Sequence, residues 1–174
     1  MKLSDACALI VDCPHSTDKD EGKGYPLIRT PNIGKGRLKL EGVHRVSEDV
    51  YKKRNIRATP QKDDLILARE APVGNVAIIK EDKVCLGQRT VLLRPNDKLA
   101  DANYLMYYLL SPVIQHRLLS ASNGATVNHL NISSIKNLKI NLPSLRSQQI
   151  IGSILSSLDD KIEINNHINK NLAA

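Results

Sequence analysis

Three ionisable residues, Asp64, Glu81 and Lys83, follow one another in the order that many nucleases use to hold a metal ion and activate water. Asp63 is an equal candidate for the first position. In such sites the Glu-x-Lys segment lies along a strand, so that both side chains point at the metal. Here Glu81 and Lys83 fall in a polar turn between two apolar segments. This position in a turn argues against a metal site, so a metal-dependent nuclease is kept only as an alternative. We predict no catalytic residue, no metal and no cofactor.

The three cysteines, Cys7, Cys13 and Cys85, predict neither a disulfide framework nor a zinc site, because their number is odd and no two form a CxxC pair. The sequence also lacks an Asn-Pro-Pro-aromatic tetrapeptide and a glycine-rich cofactor loop. Both absences argue against a methyltransferase.

Other side chains are suited to reading the edges of DNA bases, since arginine pairs with guanine, and asparagine or glutamine with adenine. The candidates in loops are Lys35, Arg37, Arg69, Asn75, Gln88, Arg89, Asn123, Thr126 and Asn128. Each of them also has a structural alternative; Arg69 and Arg89, for example, are able to pair with Glu70 or Asp64. Five tyrosines with no Trp or Phe argue against a protein that stacks single-stranded bases.

Positive charge is concentrated in one part of the chain. The net charge is +7, and the segment 29–57 holds nine basic residues against three acidic ones. Such a patch attracts a polyanion and releases its counterions, which is the sequence-independent part of nucleic-acid affinity. We predict that Lys52, Lys53 and Arg54 contact phosphates, the alternative being a solvated basic face.

The order of apolar and polar segments predicts an α+β fold, with a small, twisted, mostly antiparallel sheet and short helices. Strands are predicted at 26–30, 64–68, 75–79, 89–94 and 138–141, and helices at 47–51, after Asp101, after Pro112 and at 132–137. Residues 3–12 fit either a helix or a strand. No apolar run reaches the ~20 residues of a membrane span, and the N-terminus lacks the apolar core of a signal peptide, so we expect a cytoplasmic protein without a membrane partner.

The last part of the chain, from about residue 145 to 172, is predicted to form one long helix. Its apolar residues recur with a seven-residue period, which is typical of a helix that buries one side against another helix. The positions on this stripe are Ile151, Ile154, Leu155, Leu158, Ile162, Asn165, Ile168 and Leu172. Asn165 either fixes the register of the paired helices or belongs to a solvated helix end.

The helix opens with a recognisable pattern: Pro143-Ser144-Leu145, Gln148, Ile151, Leu155, Leu158-Asp159 and Ile162. This pattern resembles the conserved-region helix of the DNA-specificity (S) subunits of type I restriction-modification enzymes. Segments 25–29, 34–40, 47–51, 63–69, 74–77 and 87–89 resemble the target-recognition domain of the same family. The resemblance covers nearly the whole chain and keeps the family's motif order.

The resemblance implies a non-catalytic reader of double-stranded DNA, with a target-recognition domain at 1–142 and a helix for dimerisation and spacing at 143–174. Subunits of this family hold two recognition domains, each reading half of a split target. The long helices between the domains pack antiparallel, fix the spacing and dock the methyltransferase subunits. This chain has one domain and one helix. It therefore pairs with a second copy through an antiparallel coiled coil, or is a fragment of a longer chain.

The expected partners are DNA, a second copy, the methyltransferase subunits and, through them, the restriction subunit. A coiled-coil scaffold with an incidental basic domain remains a further alternative.

Overall fold

The computed structural model describes residues 1–80, 83–122 and 128–172. Its strands are β1 (Cys7–Asp12), β2 (Tyr25–Ile28), β3 (Arg45–Val46), β4 (Leu65–Ala68), β5 (Val76–Ile78), β6 (Cys85–Leu86) and β7 (Thr90–Pro95). Its α-helices are α1 (Leu3–Ala6), α2 (Glu48–Arg54), α3 (Ala102–Leu110), α4 (Pro112–Ser120), α5 (Ile132–Lys136) and α6 (Leu145–Leu172), and a 3₁₀ helix spans Thr30–Asn32. This arrangement confirms the predicted α+β class and the long terminal helix.

The larger sheet is antiparallel, with the strand order β1-β7-β4-β5. Alternate side chains of a strand point to opposite faces. On one face, Leu65 and Leu67 pack with residues of α1, α3, α4 and α5. On the other face, Ile66 and Leu92 pack with residues of the second sheet, including Ile28. Because both faces are covered, β4 is buried along its whole length, which explains its continuous apolar run.

The second sheet has the order β3-β2-β6, with β2 antiparallel to β3 and parallel to β6. Leu27, Val46 and Cys85 form a small buried cluster in it. The sequence did not predict this sheet, because β3 and β6 contain two residues each and show no period.

Two other segments differ from the sequence prediction. Residues 138–141 form no strand; a single bridge joins Lys139 to Lys2, with the Leu3 N–H 2.8 Å from the Leu138 carbonyl oxygen. Pairing stops there because the chain turns into α1 directly after Lys2. The segment 3–12 is neither a helix nor a strand alone, since it contains α1 followed by β1.

The two predicted helix caps have different outcomes. The carboxylate of Asp101 accepts a hydrogen bond from the Tyr104 N–H at 2.8 Å, as expected for the residue before α3. Ser47 precedes α2, but its hydroxyl donates to Glu21 at 3.1 Å and makes no cap hydrogen bond.

The first half of α6 packs against α3. Gln148 and Gly152 are its buried residues. A Cβ at residue 152 would lie 2.6 Å from an Asp101 carboxylate oxygen and 2.9 Å from the Tyr104 amide nitrogen, so only glycine permits this approach. From Lys161 to Leu172 every residue is exposed. Within the described residues, no helix is both long and apolar enough to cross a membrane.

Candidate DNA interface

Five ionisable side chains form a connected cluster at one end of the larger sheet, which we call the Arg69 network: Asp12, Arg69, Glu70, Arg89 and His129. The strands explain this proximity. β1 ends at Asp12, β4 ends just before Arg69, and β7 begins just after Arg89. Antiparallel pairing brings these three ends together, and the Arg69 N–H donates to the Arg89 carbonyl oxygen at 2.8 Å.

Arg69 lies inside this network. It is 5% exposed; its Nη1 lies 2.7 Å from an Asp12 carboxylate oxygen, and its Nε donates to the Leu130 carbonyl oxygen at 2.8 Å. Its Nη2 is 2.6 Å from the His129 Nε2. The structure therefore gives Arg69 a structural role, against the expectation that it faces a base, because its guanidinium is occupied by neighbouring groups of the fold.

Arg89 lies at the outer end of the same network, and its side chain is 56% exposed. Its Nε is 2.9 Å from one Glu70 oxygen, while the other Glu70 oxygen is 2.6 Å from the His129 Nδ1. Of the two pairings allowed by the sequence, Arg89 takes Glu70, while Asp64 pairs with Arg94. Arg89 remains a candidate for contact with DNA.

The basic run 52–54 divides into two parts. Lys52 and Lys53 are exposed on α2, and Lys52 pairs with Glu48 one turn earlier at 2.8 Å. Arg54 is 3% exposed, forms an ion pair with Asp18 and donates to the Leu86 carbonyl oxygen at 2.7 Å. Arg54, which was expected to contact a phosphate, is therefore a buried side chain that holds α2 against β6. Lys52 and Lys53 remain exposed to a phosphate.

Two predicted amide readers hold loops together. The half-buried Asn75 donates to the Ile33 carbonyl oxygen at 2.9 Å. Gln88, also half-buried, bonds to the Thr17 hydroxyl and lies 3.4 Å from the His15 carbonyl oxygen. Asn128 is exposed beside His129. Asn123 and Thr126 lie outside the described residues.

Arg37 forms ion pairs with acidic residues of α6. It lies 2.5 Å from an Asp160 carboxylate oxygen and also pairs with Glu163, while Lys80 approaches Asp160 at 3.3 Å. The hydrogen bond from Arg37, helped by Lys80, lowers the pKa of the Asp160 carboxyl. A residue predicted to read DNA thus fastens the middle of α6 to the domain, while Lys35 in the same loop is exposed.

Sequence reasoning named Glu70 as a partner for arginine but missed the roles of His129, Lys80 and the Tyr107–Asp159 pair. The Tyr107 hydroxyl donates to Asp159 of α6 at 2.7 Å, and burial together with this carboxylate raises the Tyr107 pKa. These partners are 52 to 80 residues apart in the chain. No local spacing marks such pairs, although the acidic residues of α6 beside a basic domain were a possible signal.

The nuclease alternative finds no support in the geometry. Asp64 is 2% exposed, and both its oxygens lie 2.8 Å from nitrogens of Arg94. Lys83 is exposed, and Glu81 lies outside the described residues. In the part of the chain that is described, no three His, Cys, Asp or Glu side chains are grouped so as to hold a metal. The cysteines are free thiols, and burial raises the pKa of Cys7 and of Cys85 to about 12, which disfavours a thiolate nucleophile.

The apolar stripe on α6 is largely uncovered. Ile151, Ile154, Leu158, Ile162, Ile168 and Leu172 are between 40% and 81% exposed, and Leu155 is half-buried. Asn165 is exposed within the stripe. The side of α6 that meets the domain carries instead Gln148, Gly152 and Asp159. The stripe is therefore free to contact another helix.

Comparison with known proteins gives one consistent result. The family model for the type I restriction modification DNA specificity domain matches residues 2–174. The specificity subunit of the type I restriction enzyme EcoBI from Escherichia coli is 28% identical over 132 residues, covering 74% of this chain and 27% of that protein. The MjaIX specificity subunit from Methanocaldococcus jannaschii is 32% identical over 123 residues, covering 70% of this chain and 28% of that protein.

Solved structures share the fold. The S subunit of a type I restriction-modification system from M. genitalium superimposes with a TM-score of 0.66 at 19% identity, over 94% of this chain and 39% of that one. The HsdS subunit from Thermoanaerobacter tengcongensis gives 0.60 at 23% identity, over 94% and 37%. The chain thus spans between 27% and 39% of the length of these four relatives.

The four relatives are specificity or S subunits, in keeping with the predicted recognition role and not with the nuclease alternative. Since the family model covers the chain almost from end to end, the chain belongs to the family of type I restriction modification DNA specificity domains.

Proposed function

We propose that this chain is a sequence-specific DNA recognition subunit of a type I restriction-modification enzyme, acting in the cytoplasm. It reads one half of a bipartite target in double-stranded DNA and docks the methyltransferase subunits, which connect it to the restriction subunit. The family match over residues 2–174 is the observation that carries this proposal. The exposed lysines at 35, 52 and 53 and the network around Arg89 supply suitable chemistry.

Lysines and base-reading side chains have different tasks in such an interface. Lys52 and Lys53 are exposed, so they are suited to phosphates, which carry no sequence information. Arg89, at the outer end of the Arg69 network, and Asn128, beside His129 of that network, are exposed and are suited to base edges.

Fluorescence anisotropy tests the proposed DNA binding. It measures the affinity of the chain for a pool of labelled duplexes over a range of salt concentrations. Replacing Lys52 and Lys53 with alanine should weaken binding about equally on all sequences. It should also reduce the slope of log K against log[salt] by about 2, since each phosphate contact contributes roughly 0.9. The control replaces Lys161 and Lys170, two exposed lysines of α6, with alanine. Equal losses in both double variants, or binding that ignores salt, would contradict the assignment.

The same preparation addresses the nuclease alternative. We expect the purified chain to leave duplex DNA intact in the presence of Mg²⁺. Cleavage that Glu81→Ala abolishes would overturn the proposed function.

The stripe on α6 supports pairing with a second copy. A helix of 28 residues is about 42 Å long. Residues seven apart, such as Ile151 and Leu158, or Leu158 and Asn165, lie about 20° apart around the helix. Burial of each large apolar side chain contributes about 1.5–3 kcal/mol, which favours covering the stripe with another helix.

Two copies related by a two-fold axis would place one recognition domain at each end of an antiparallel helix pair. A symmetric protein reads a symmetric target, and the helix length is comparable to the ~34–36 Å of one DNA turn. The paired helices would then set the gap between the two half-targets. In such a pair Asn165 is a candidate for fixing the register.

Two matched substitutions test the pairing. Leu158 and Ile164 are similarly exposed on α6, at 53% and 58%, but only Leu158 belongs to the stripe. We expect Leu158→Asp to convert a dimer into a monomer in sedimentation equilibrium, and Ile164→Asp to leave the dimer intact. A monomeric wild-type chain at ~50 µM, well above the dissociation constants of stable dimers, or equal effects of both changes, would refute pairing through the stripe. Asn165→Leu should preserve association but allow other oligomers or helix orientations.

Docking of the methyltransferase and homodimeric reading are tested together in cells. The chain is expressed together with the methyltransferase subunits of its restriction-modification system, and methylated positions are mapped across the genome. We expect a split motif with two identical, inverted halves. A split motif with two different halves would contradict reading by two identical copies, and no methylation would contradict docking.

A further inference from the structure

Arg89 is paired with a carboxylate at one end of its guanidinium and is open at the other. Its Nε lies 2.9 Å from a Glu70 oxygen, and its side chain is 56% exposed. Within the described residues, its two terminal nitrogens have no hydrogen-bond partner. An arginine held in this way presents two parallel N–H donors outward in a defined direction.

The support behind Arg89 is a chain of contacts that reaches the core. Glu70 is only 16% exposed, and its second oxygen lies 2.6 Å from the His129 Nδ1. The other ring nitrogen of His129 is 2.6 Å from the buried Arg69. The Arg69 N–H in turn bonds to the Arg89 carbonyl oxygen, so both the backbone and the side chain of Arg89 are positioned. Binding through such an arginine loses little rotamer freedom.

Guanine is the base whose major-groove edge suits these two donors. It presents two neighbouring acceptors, O6 and N7, whereas adenine presents one acceptor beside an amino donor. Thymine offers a single acceptor and cytosine an amino donor. A guanidinium has no acceptor, so the amino groups of adenine and cytosine oppose it.

A phosphate also accepts two hydrogen bonds from arginine, but the surroundings of Arg89 disfavour that ligand. The carboxylate of Glu70 compensates the charge of Arg89, so the pair gains little from the negative potential of the DNA backbone. The unshielded Lys53 on α2 is better suited to phosphates. What Arg89 retains is the direction of its donors, which is the property that base recognition needs.

We propose that Arg89 is a specificity-determining residue that reads one guanine of the half-target through O6 and N7, with Glu70 as its positioning residue. This inference rests on the proposed DNA-recognition function. It assigns one base to one side chain and one role to a carboxylate that does not itself touch the DNA.

The test selects preferred duplexes from a random pool with the full chain, and with the variants Arg89→Gln, Glu70→Gln and Arg146→Gln. Glutamine has a length similar to that of arginine and meets the same backbone demand at residue 89, where φ is +64°. Arg146 is an exposed arginine at the start of α6, so Arg146→Gln removes the same charge elsewhere. Each variant is first compared with the wild-type chain in thermal unfolding, to establish that it is folded.

We expect Arg89→Gln to lose a guanine preference of about 5- to 150-fold, the discrimination of one bidentate contact, at a single position of the motif. Glu70→Gln should weaken the preference at that same position, and Arg146→Gln should leave the motif unchanged. Replacing this guanine with 7-deazaguanine, which lacks the N7 acceptor, should weaken binding by the wild-type chain but not further weaken Arg89→Gln.

Other outcomes would overturn the inference. An unchanged motif for Arg89→Gln would refute base reading, and a uniform loss on all sequences with a smaller salt slope would make Arg89 a phosphate contact. A normal motif for Glu70→Gln would remove its positioning role. If the wild-type chain selects no motif, the proposed function itself fails, which is distinct from failure of the Arg89 assignment alone.

Discussion

Replacing Gln148 with methionine should weaken the contact between α6 and the domain by about 2–4 kcal/mol. Gln148 is 1% exposed and uses both ends of its amide. Its Oε1 accepts from the Asp101 N–H at 3.1 Å, and its Nε2 donates to the carbonyl oxygens of Leu99 and Pro143 at 3.0 and 2.9 Å. Methionine has nearly the same length, no hydrogen-bond donor and only a weakly accepting sulfur, so it preserves packing and removes these bonds.

The magnitude follows from the three hydrogen bonds. Each contributes about 0.5–1.5 kcal/mol, and a donor left unpaired in a buried site costs about 1–3 kcal/mol. The Asp101 N–H is partly buried, whereas Leu99 and Pro143 are exposed and water is able to replace the lost donor at their carbonyl groups. We therefore take a value well below the sum of the largest figures.

Urea unfolding measures this loss at a fixed protein concentration, because self-association also changes apparent stability. With a slope of about 2 kcal/mol per molar urea, the middle of the usual range, the midpoint should fall by about 1–2 M. The control is Gln149→Met, the same change at the exposed neighbouring residue. A loss for Gln148→Met that stays within about 0.5 kcal/mol of the control, the usual range for surface substitutions, would refute the view that the buried amide fastens α6 to α3.

Three further predictions concern other parts of the chain. Arg54→Ala should lower stability by about 3 kcal/mol in urea unfolding, because it leaves a buried ion pair broken, whereas exposed Lys53→Ala should cost less than about 0.5 kcal/mol. The contact of Arg37 with Asp160 lowers the pKa of that carboxyl, so the contact should persist at neutral pH and be lost as the pH falls below 3.8. Amide exchange in the middle of α6, corrected for the intrinsic rate at each pH, should then rise. Arg37→Ala should show that rise already at pH 7. Burial raises the pKa of Cys85 to about 12, so at pH 8 its thiol should react with a disulfide reagent much more slowly in the native chain than in urea; equal rates would contradict its burial.

Several elements were predictable because neighbouring residues specify them. The seven-residue period of α6 gave its extent and its exposed stripe, and Asp101 was recognised as the residue that caps α3. The apolar run 64–68 indicated β4 because a strand covered on both faces needs no polar positions. The two-residue strands β3 and β6 carry too few residues for any such pattern.

The candidate site was predictable only in part. Residue type and a loop position suggested several arginines as DNA readers, but the structure separates them by their partners. Arg54 meets Asp18, 36 residues away, and Arg69 meets Asp12, 57 residues away. Arg37 meets Asp160 and Glu163, more than 120 residues away. Among these four arginines, Arg89 alone keeps an exposed guanidinium end while its Nε pairs with Glu70.

The sequence by itself determined the family, the α+β class, the basic character of the domain and the helix that follows it. These properties depend on composition, local periodicity and motif order, which are present before the chain folds. Only the tertiary structure decided which basic side chains form ion pairs within the fold and which remain free for a ligand. An ion pair depends on distances between groups far apart in the chain, and those distances are set by strand pairing and helix packing and by no local spacing.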